Sequence, residues 1–297
     1  MVKSFVMHGK TQKDKVGSLD VVTLIHPEGG QVQVSLFGAH VVSWIGPSGE
    51  PRLFLSSKAD LTGAKPIRGG VPLIFPQFGP RALPGEKALP SHGFARTEMW
   101  TVVKSKTSKG GVSSVTLRLK SSPRLEALYS GIFTAEVTVS LSKTLTISLL
   151  VKNDGENPMV FQTALHTYFE VPSKDDVSIV GMEGSEFLDN LKNLTAAVET
   201  RRKVDVLAPT DRVYIDVPST IQILSKDIPL FTLESSGFPD LVVWNPGEVR
   251  AKEIKDLGEG EFQRMVCVES AIVGTPVKLL AGESKSSSLT ITPRDLE

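Results

Sequence analysis

"FTAEVTVSL", residues 133 to 141, and "TLTISLLVKN", residues 144 to 153, decide the fold class. Apolar and polar side chains alternate with a period of two, and the β-branched residues Val137, Val139 and Ile147 sit on the apolar register. That period fits a pleated strand with one buried face and no helix. Working outward, "QVQVSLF" (31 to 37), "SSVTLRLK" (113 to 120) and "SSLTITP" (287 to 293) carry the same short, β-rich signature. Turn-forming clusters such as "GPSGEP" (46 to 51) and "NDGENP" (153 to 158) separate them. Helix is expected only in short pieces, around "SSKADL" (56 to 61) and "SPRLEAL" (122 to 128). An all-β antiparallel sandwich follows, because strands are not alternating with helices as βα units require.

The 297 residues allow one large domain or two ordinary ones. Glycine and proline are spread along the whole chain, no stretch reads as a linker, and no internal repeat is visible, so a single domain over 1–297 is expected. Its first 20 residues are expected to be a loosely ordered N-terminal segment. Hydrophobic residues make up 40% and charged residues 22%, enough apolar material for a sizeable core. Lys plus Arg equals Asp plus Glu at 33 each, so no broad field attracts nucleic acid or an anionic membrane. Any anion must be held by a few placed residues. Cys267 is the one cysteine, which excludes an internal disulfide and multi-cysteine zinc sites. With no apolar signal-like stretch at the amino terminus and no apolar run near ~20 residues, a soluble cytoplasmic protein is expected.

Four segments stand out chemically. "KPIRGGVPLIFPQFGP" (65 to 80) holds too many prolines and glycines for a central strand and reads as a rim loop bearing Arg68. "LPSHGFARTEMW" (89 to 100) crowds Ser91, His92 and Arg96 around a glycine; it is either an ordinary loop or one wall of an anion-binding site. In "FQTALHTYFEV" (161 to 171), His166 shares a strand face with Ala164 and Tyr168. It is either a core histidine with a fixed partner or a proton-transfer group near neutrality. In "RMVCVESA" (264 to 271), Glu269 shares a face with Met265 and Cys267, an unusual place for a carboxylate unless it is paired, functional or at an exposed strand end. Asp189, in "SEFLDNLKN", is a loop acid of less distinct character. Phosphate-loop, dinucleotide and nucleophile-elbow motifs are absent, and the five histidines show no metal-ligand spacing.

Taken together and in order, "PIRGGVPLIFPQFG", "HGFAR", "HTYF" and "CVE", with "DRVY" (211 to 214) and "VVWNP" (242 to 246), resemble the glucose-6-phosphate 1-epimerases. These are hexose-6-phosphate mutarotases of the aldose 1-epimerase superfamily. The resemblance runs from about Val32 to Ile291. It implies a galactose mutarotase-like β-sandwich that interconverts α and β anomers of hexose 6-phosphates without cofactor or metal. By motif it makes His166 the general acid and Glu269 the general base, with Arg68, Ser91, His92, Arg96 and Asp189 binding substrate. A small sugar phosphate is the expected partner, and a monomer the expected state. Ser91 departs from the glutamine common at that position, and "SAIVGTP" departs from the usual continuation after the glutamate. The alternatives are an epimerase of unphosphorylated sugars and a non-catalytic carbohydrate-binding sandwich.

Overall fold

The computed structural model describes residues 9–207 and 209–294. Strands dominate and pair antiparallel throughout three sheets. The strands Phe133–Leu141 and Leu145–Asn153 form a hairpin in which every second residue is buried, the alternation written in their sequence. They occupy the middle of a nine-stranded sheet that runs from Lys203–Asp205 at one edge to Thr101–Thr107 at the other. A second sheet of eight strands faces it, with Met265–Leu279 paired on one side to Asp240–Asn245 and on the other to Met159–Leu165. A four-stranded sheet of residues 10 to 45 adds a further layer.

The main core lies between the two large sheets. Val137, Val139, Ile147 and Leu149 from one meet Phe161, Leu241, Val243, Val266 and Val268 from the other, all essentially inaccessible. Because side chains alternate across a strand, filling this core with Val266 and Val268 turns Met265, Cys267, Glu269 and Ala271 to the opposite face of the eight-stranded sheet. There a smaller apolar cluster of Ile74, Ala164, Val213, Val242 and Ala271 floors the outer surface.

Residues 1–8 of the segment expected to be loosely ordered lie outside the described residues; Lys10–Val16 of it is a strand paired along its length to Leu19–His26. The helix expected near residue 122 is Pro123–Glu126, with the Ser122 hydroxyl accepting from the Leu125 amide as its cap. The one expected at 56 to 61 does not form. The Ser56 hydroxyl donates to the Glu261 carboxylate at 2.8 Å and the Ser57 amide donates to it at 3.1 Å, which commits this segment to a turn. Residues 65 to 80 are loop except for Leu73–Ile74, which close one edge of the eight-stranded sheet against Ala164 and Leu165. Among the described residues no helix is long and apolar enough to cross a membrane.

Candidate active site

Strand register builds the centre of the site. Leu165 pairs with Ser270, and after a two-residue interruption Tyr168 pairs with Cys267. The register is unchanged across the gap, which the Val268 amide bridges by donating to the Thr167 carbonyl at 3.2 Å. His166 therefore stands opposite Glu269, on the same outer face, as a cross-strand pair. Its Nδ1 lies 3.2 Å from Glu269 Oε1. The contact is not aligned as a hydrogen bond, which leaves Nδ1 buried without a hydrogen-bond partner among the described residues; Glu269 Oε2 is likewise buried and unpartnered there. Both side chains line a cleft of about 830 Å³, within the size range of small-molecule sites.

Burial moves the two groups in opposite directions. It pushes the Glu269 carboxyl well above the usual carboxylate range, and the negative charge of Asp211 adds to this. It pushes the His166 imidazole well below its ordinary value, and His92, Arg68 and Arg96 nearby lower it further. Tyr168 lies flat against the His166 ring, centroids 4.7 Å apart at 11°, and Trp244 meets it edge-on. These rings fix the imidazole plane.

Arginines and a second histidine rim the same cleft. Arg68 donates through Nη1 to the Tyr168 hydroxyl at 2.9 Å and through Nε to Asp256 at 3.2 Å. Its loop depends on Gly70, held at φ 61°, where an added Cβ would lie 2.1 Å from the Val41 carbonyl oxygen. Gly93, at φ 69°, is equally required in "HGFAR", since a Cβ there would meet the Phe75 carbonyl oxygen at 2.2 Å. His92 accepts from the Gly79 amide on Nδ1 at 3.3 Å, which leaves the proton of the neutral ring on Nε2 as a donor. Burial, with Arg96 and Arg68 close by, lowers this histidine to about 3, so the neutral form persists. Its ring centroid is 5.7 Å from that of His166. Arg96, in the short 3-10 turn Ala95–Thr97, donates from Nη2 to the Ser91 carbonyl at 2.8 Å, and its Nε is buried without a partner among the described residues.

Of the seven residues singled out from sequence, His166, Glu269, Arg68, His92, Arg96 and Ser91 converge on this cleft. Ser91 sits exposed at its edge, where its backbone carbonyl accepts from Arg96. Asp189 does not join them. Its carboxylate is buried, accepts from the Leu191 amide at 3.1 Å as a turn cap, and pairs with Arg212 at 3.4 Å. The acid that lines the cleft from this side is Asp211, gripped by Asn190 Nδ2 at 2.6 Å and pushed up by burial. Asp211, Tyr168, Trp244 and Asp256 were not singled out from sequence. The available signals were "DRVY", "VVWNP" and the period-two face shared by His166 and Tyr168; Asp256 had none. His166, Cys267 and Glu269 also bring one nitrogen, one sulfur and one oxygen ligand atom within 4.8 Å of one another.

A β-sandwich whose outer sheet face sets an imidazole against a carboxylate in a cleft rimmed by guanidinium groups is built like the mutarotases. The comparisons agree: the aldose 1-epimerase family profile matches residues 20–292. The chain belongs to the aldose 1-epimerase family. It is 34% identical over 260 residues, 84% of this chain and 78% of the relative, to a Cenchrus ciliaris protein provisionally assigned as a glucose-6-phosphate 1-epimerase. It is 31% identical to an Escherichia coli K12 protein with the same provisional assignment, over 89% of this chain and 87% of that one. The crystal structure of YeaD from Salmonella typhimurium, provisionally a mutarotase, superposes with a TM-score of 0.85 at 27% identity, covering 95% of this chain and 92% of that one.

Proposed function

We propose that this epimerase interconverts the α and β anomers of glucose 6-phosphate and related hexose 6-phosphates. One observation carries the reading: an imidazole and a carboxylate 3.2 Å apart line a cleft that Arg68 and Arg96 also line. The provisional assignments of its relatives support the same substrate class.

Anomer exchange opens the bond between C1 and the ring oxygen, rotates C1 about the C1–C2 bond, and recloses. Glu269 takes the proton of the C1 hydroxyl while His166 donates a proton to the ring oxygen. The ring bond breaks as the C1 carbonyl forms, and reclosure reverses both transfers, so no net proton is consumed. Each transfer contributes ~10²- to 10⁴-fold. Burial lowers the imidazole and raises the carboxyl, and both shifts favour the uncharged form of each group. Realignment of the 3.2 Å contact as substrate binds lets one proton pass from the Glu269 carboxyl to His166 Nδ1, giving the imidazolium and carboxylate that the reaction uses. A phosphate dianion held by Arg68 and Arg96 favours that transfer, because it offsets the positive charge opposing the imidazolium. We assign the His92 Nε2–H and the Asp211 carboxylate to sugar oxygens, a role that their lining of the cleft supports.

We further propose that the chain is a single-domain, cytoplasmic monomer that does not bind nucleic acid; the core cluster running from Val22 to Ile291 supports the single domain, and the zero net charge supports the lack of nucleic-acid binding. The test is exchange NMR on glucose 6-phosphate. The purified chain should accelerate α/β interconversion far above the buffer rate, and an unchanged rate would overturn the reading.

A further inference from the structure

We propose that His166, Cys267 and Glu269 form a three-ligand site for a soft divalent cation, zinc above all, and that filling it switches the acid–base pair off. The donor set is an imidazole nitrogen, a thiol sulfur and a carboxylate oxygen, the combination zinc accepts and all-oxygen cations such as magnesium do not favour. Spacing fits as well. Two ligand atoms each ~2.0–2.1 Å from a tetrahedral zinc stand ~3.3 Å apart, and His166 Nδ1 stands 3.2 Å from Glu269 Oε1. All three ligand atoms lie within 4.8 Å of one another, so closing on a common centre asks for about an ångström of side-chain adjustment or less.

Two further observations point inward to a ligand. His166 Nδ1 and Glu269 Oε2 are buried polar atoms left without a hydrogen-bond partner among the described residues. Their side chains are only 9% and 2% exposed, so solvent is a poor substitute. The scaffold is rigid: Cys267 precedes Glu269 by two residues on the same face of a central strand, and His166 is held on the adjacent register. The fourth coordination position opens to the cleft, since His166 and Glu269 line it and Cys267 is fully buried beneath. Charge is compatible with the neighbouring Arg68 and Arg96, because a dication that displaces the thiol proton of Cys267 and the carboxyl proton of Glu269, releasing both to solvent, leaves the site neutral. A zinc ion there occupies the lone pairs that proton transfer needs. Binding at the site stands independently of the proposed reaction, whereas inhibition rests on it.

The probe is Co²⁺, titrated into the full chain with the near-ultraviolet spectrum recorded. Cys267 is the sole cysteine, so a thiolate-to-cobalt charge-transfer band at one equivalent reports this site alone. The band should appear, be abolished by one equivalent of Zn²⁺, and be missing in Cys267→Ala and in the better volume match Cys267→Ser. Loss of a group that merely supports a metal ligand costs ~10- to 100-fold in affinity. Zinc affinity, read by competition with a chromophoric chelator, should fall at least that far in both cysteine variants and in Glu269→Gln. Zinc should also stop anomer exchange in the wild type reversibly on adding EDTA, and leave Cys267→Ala active at the same concentration. Absence of the band, or unchanged zinc affinity in both cysteine variants, overturns the site. A band with full activity overturns the switch, and a band in a chain inactive even without metal keeps the site while refuting the proposed function.

Discussion

Replacing Glu269 by glutamine should slow anomer exchange and stabilise the fold at the same time. Glutamine matches the shape of glutamate, so packing on the central strand is kept, but it cannot take the C1 hydroxyl proton. The rate should fall by ~10²- to 10⁴-fold, and at 1.36 kcal/mol for each factor of ten that is about 3–5 kcal/mol of transition-state stabilisation. The stability effect has the opposite sign. Glu269 is 1% exposed, and one of its oxygens has no partner among the described residues. Burial, with Asp211, raises its folded pKa well above the ordinary 4.5. Between those two values the folded chain binds more protons than the unfolded one, so stability declines as pH rises through that window. Glutamine is exempt from this loss. Relative to the wild type, Glu269→Gln should therefore gain stability between pH 5 and pH 8. Each kcal/mol gained moves Tm up by roughly 2–4 °C in a chain of this size class. Exchange NMR at pH 7.5 and calorimetry at pH 5 and 8 give both numbers. A variant within ~10-fold of wild-type rate, or one less stable than wild type at pH 8, would refute the reasoning.

His166→Asn should reduce exchange at least ~10²-fold, with a far-ultraviolet circular dichroism spectrum unchanged from wild type; collapse of that spectrum would instead mark the histidine as structural. Arg68→Ala and Arg96→Ala should each raise KM for glucose 6-phosphate at least ~10-fold, the loss of about one charge-assisted hydrogen bond, while altering KM for glucose little. Equal effects on both sugars would remove the phosphate from the argument. Asp189→Ala should cost about 1–2 kcal/mol of stability in denaturant unfolding, from the lost turn cap and the Arg212 contact. KM should stay at the wild-type value, and a KM change without destabilisation would return Asp189 to the sugar.

The strands were legible because burial alternates in the same period as hydrophobicity: Phe133–Leu141 is written as it is packed. The helix expected at 56 to 61 was not, since its local composition cannot reveal that Ser56 and Ser57 hold a carboxylate at Glu261, distant in the chain. Choosing between Asp189 and Asp211 from sequence fails for a related reason. Each is a polar residue at the end of a strand, and cross-strand pairing puts Asp189 beside Arg212 while Asp211 is placed beside Trp244, toward the cleft.

The acid–base pair shows how far such reading can reach. Period two alone sets His166 and Tyr168 on one face of their strand, and Cys267 and Glu269 on one face of theirs. Neither statement says that these faces meet. What joins them is register: Leu165 opposite Ser270 and Tyr168 opposite Cys267 leave His166 opposite Glu269. A slip of one residue would turn one partner of the pair into the core, where Val266 and Val268 now sit, and expose the valines to the cleft. The cost of burying an unpaired polar group among those core residues, added to that of turning the valines outward, opposes that slip. The hydrophobic pattern that selects the fold thus also enforces the juxtaposition of imidazole and carboxylate, and the chemistry needs no separate device to align them.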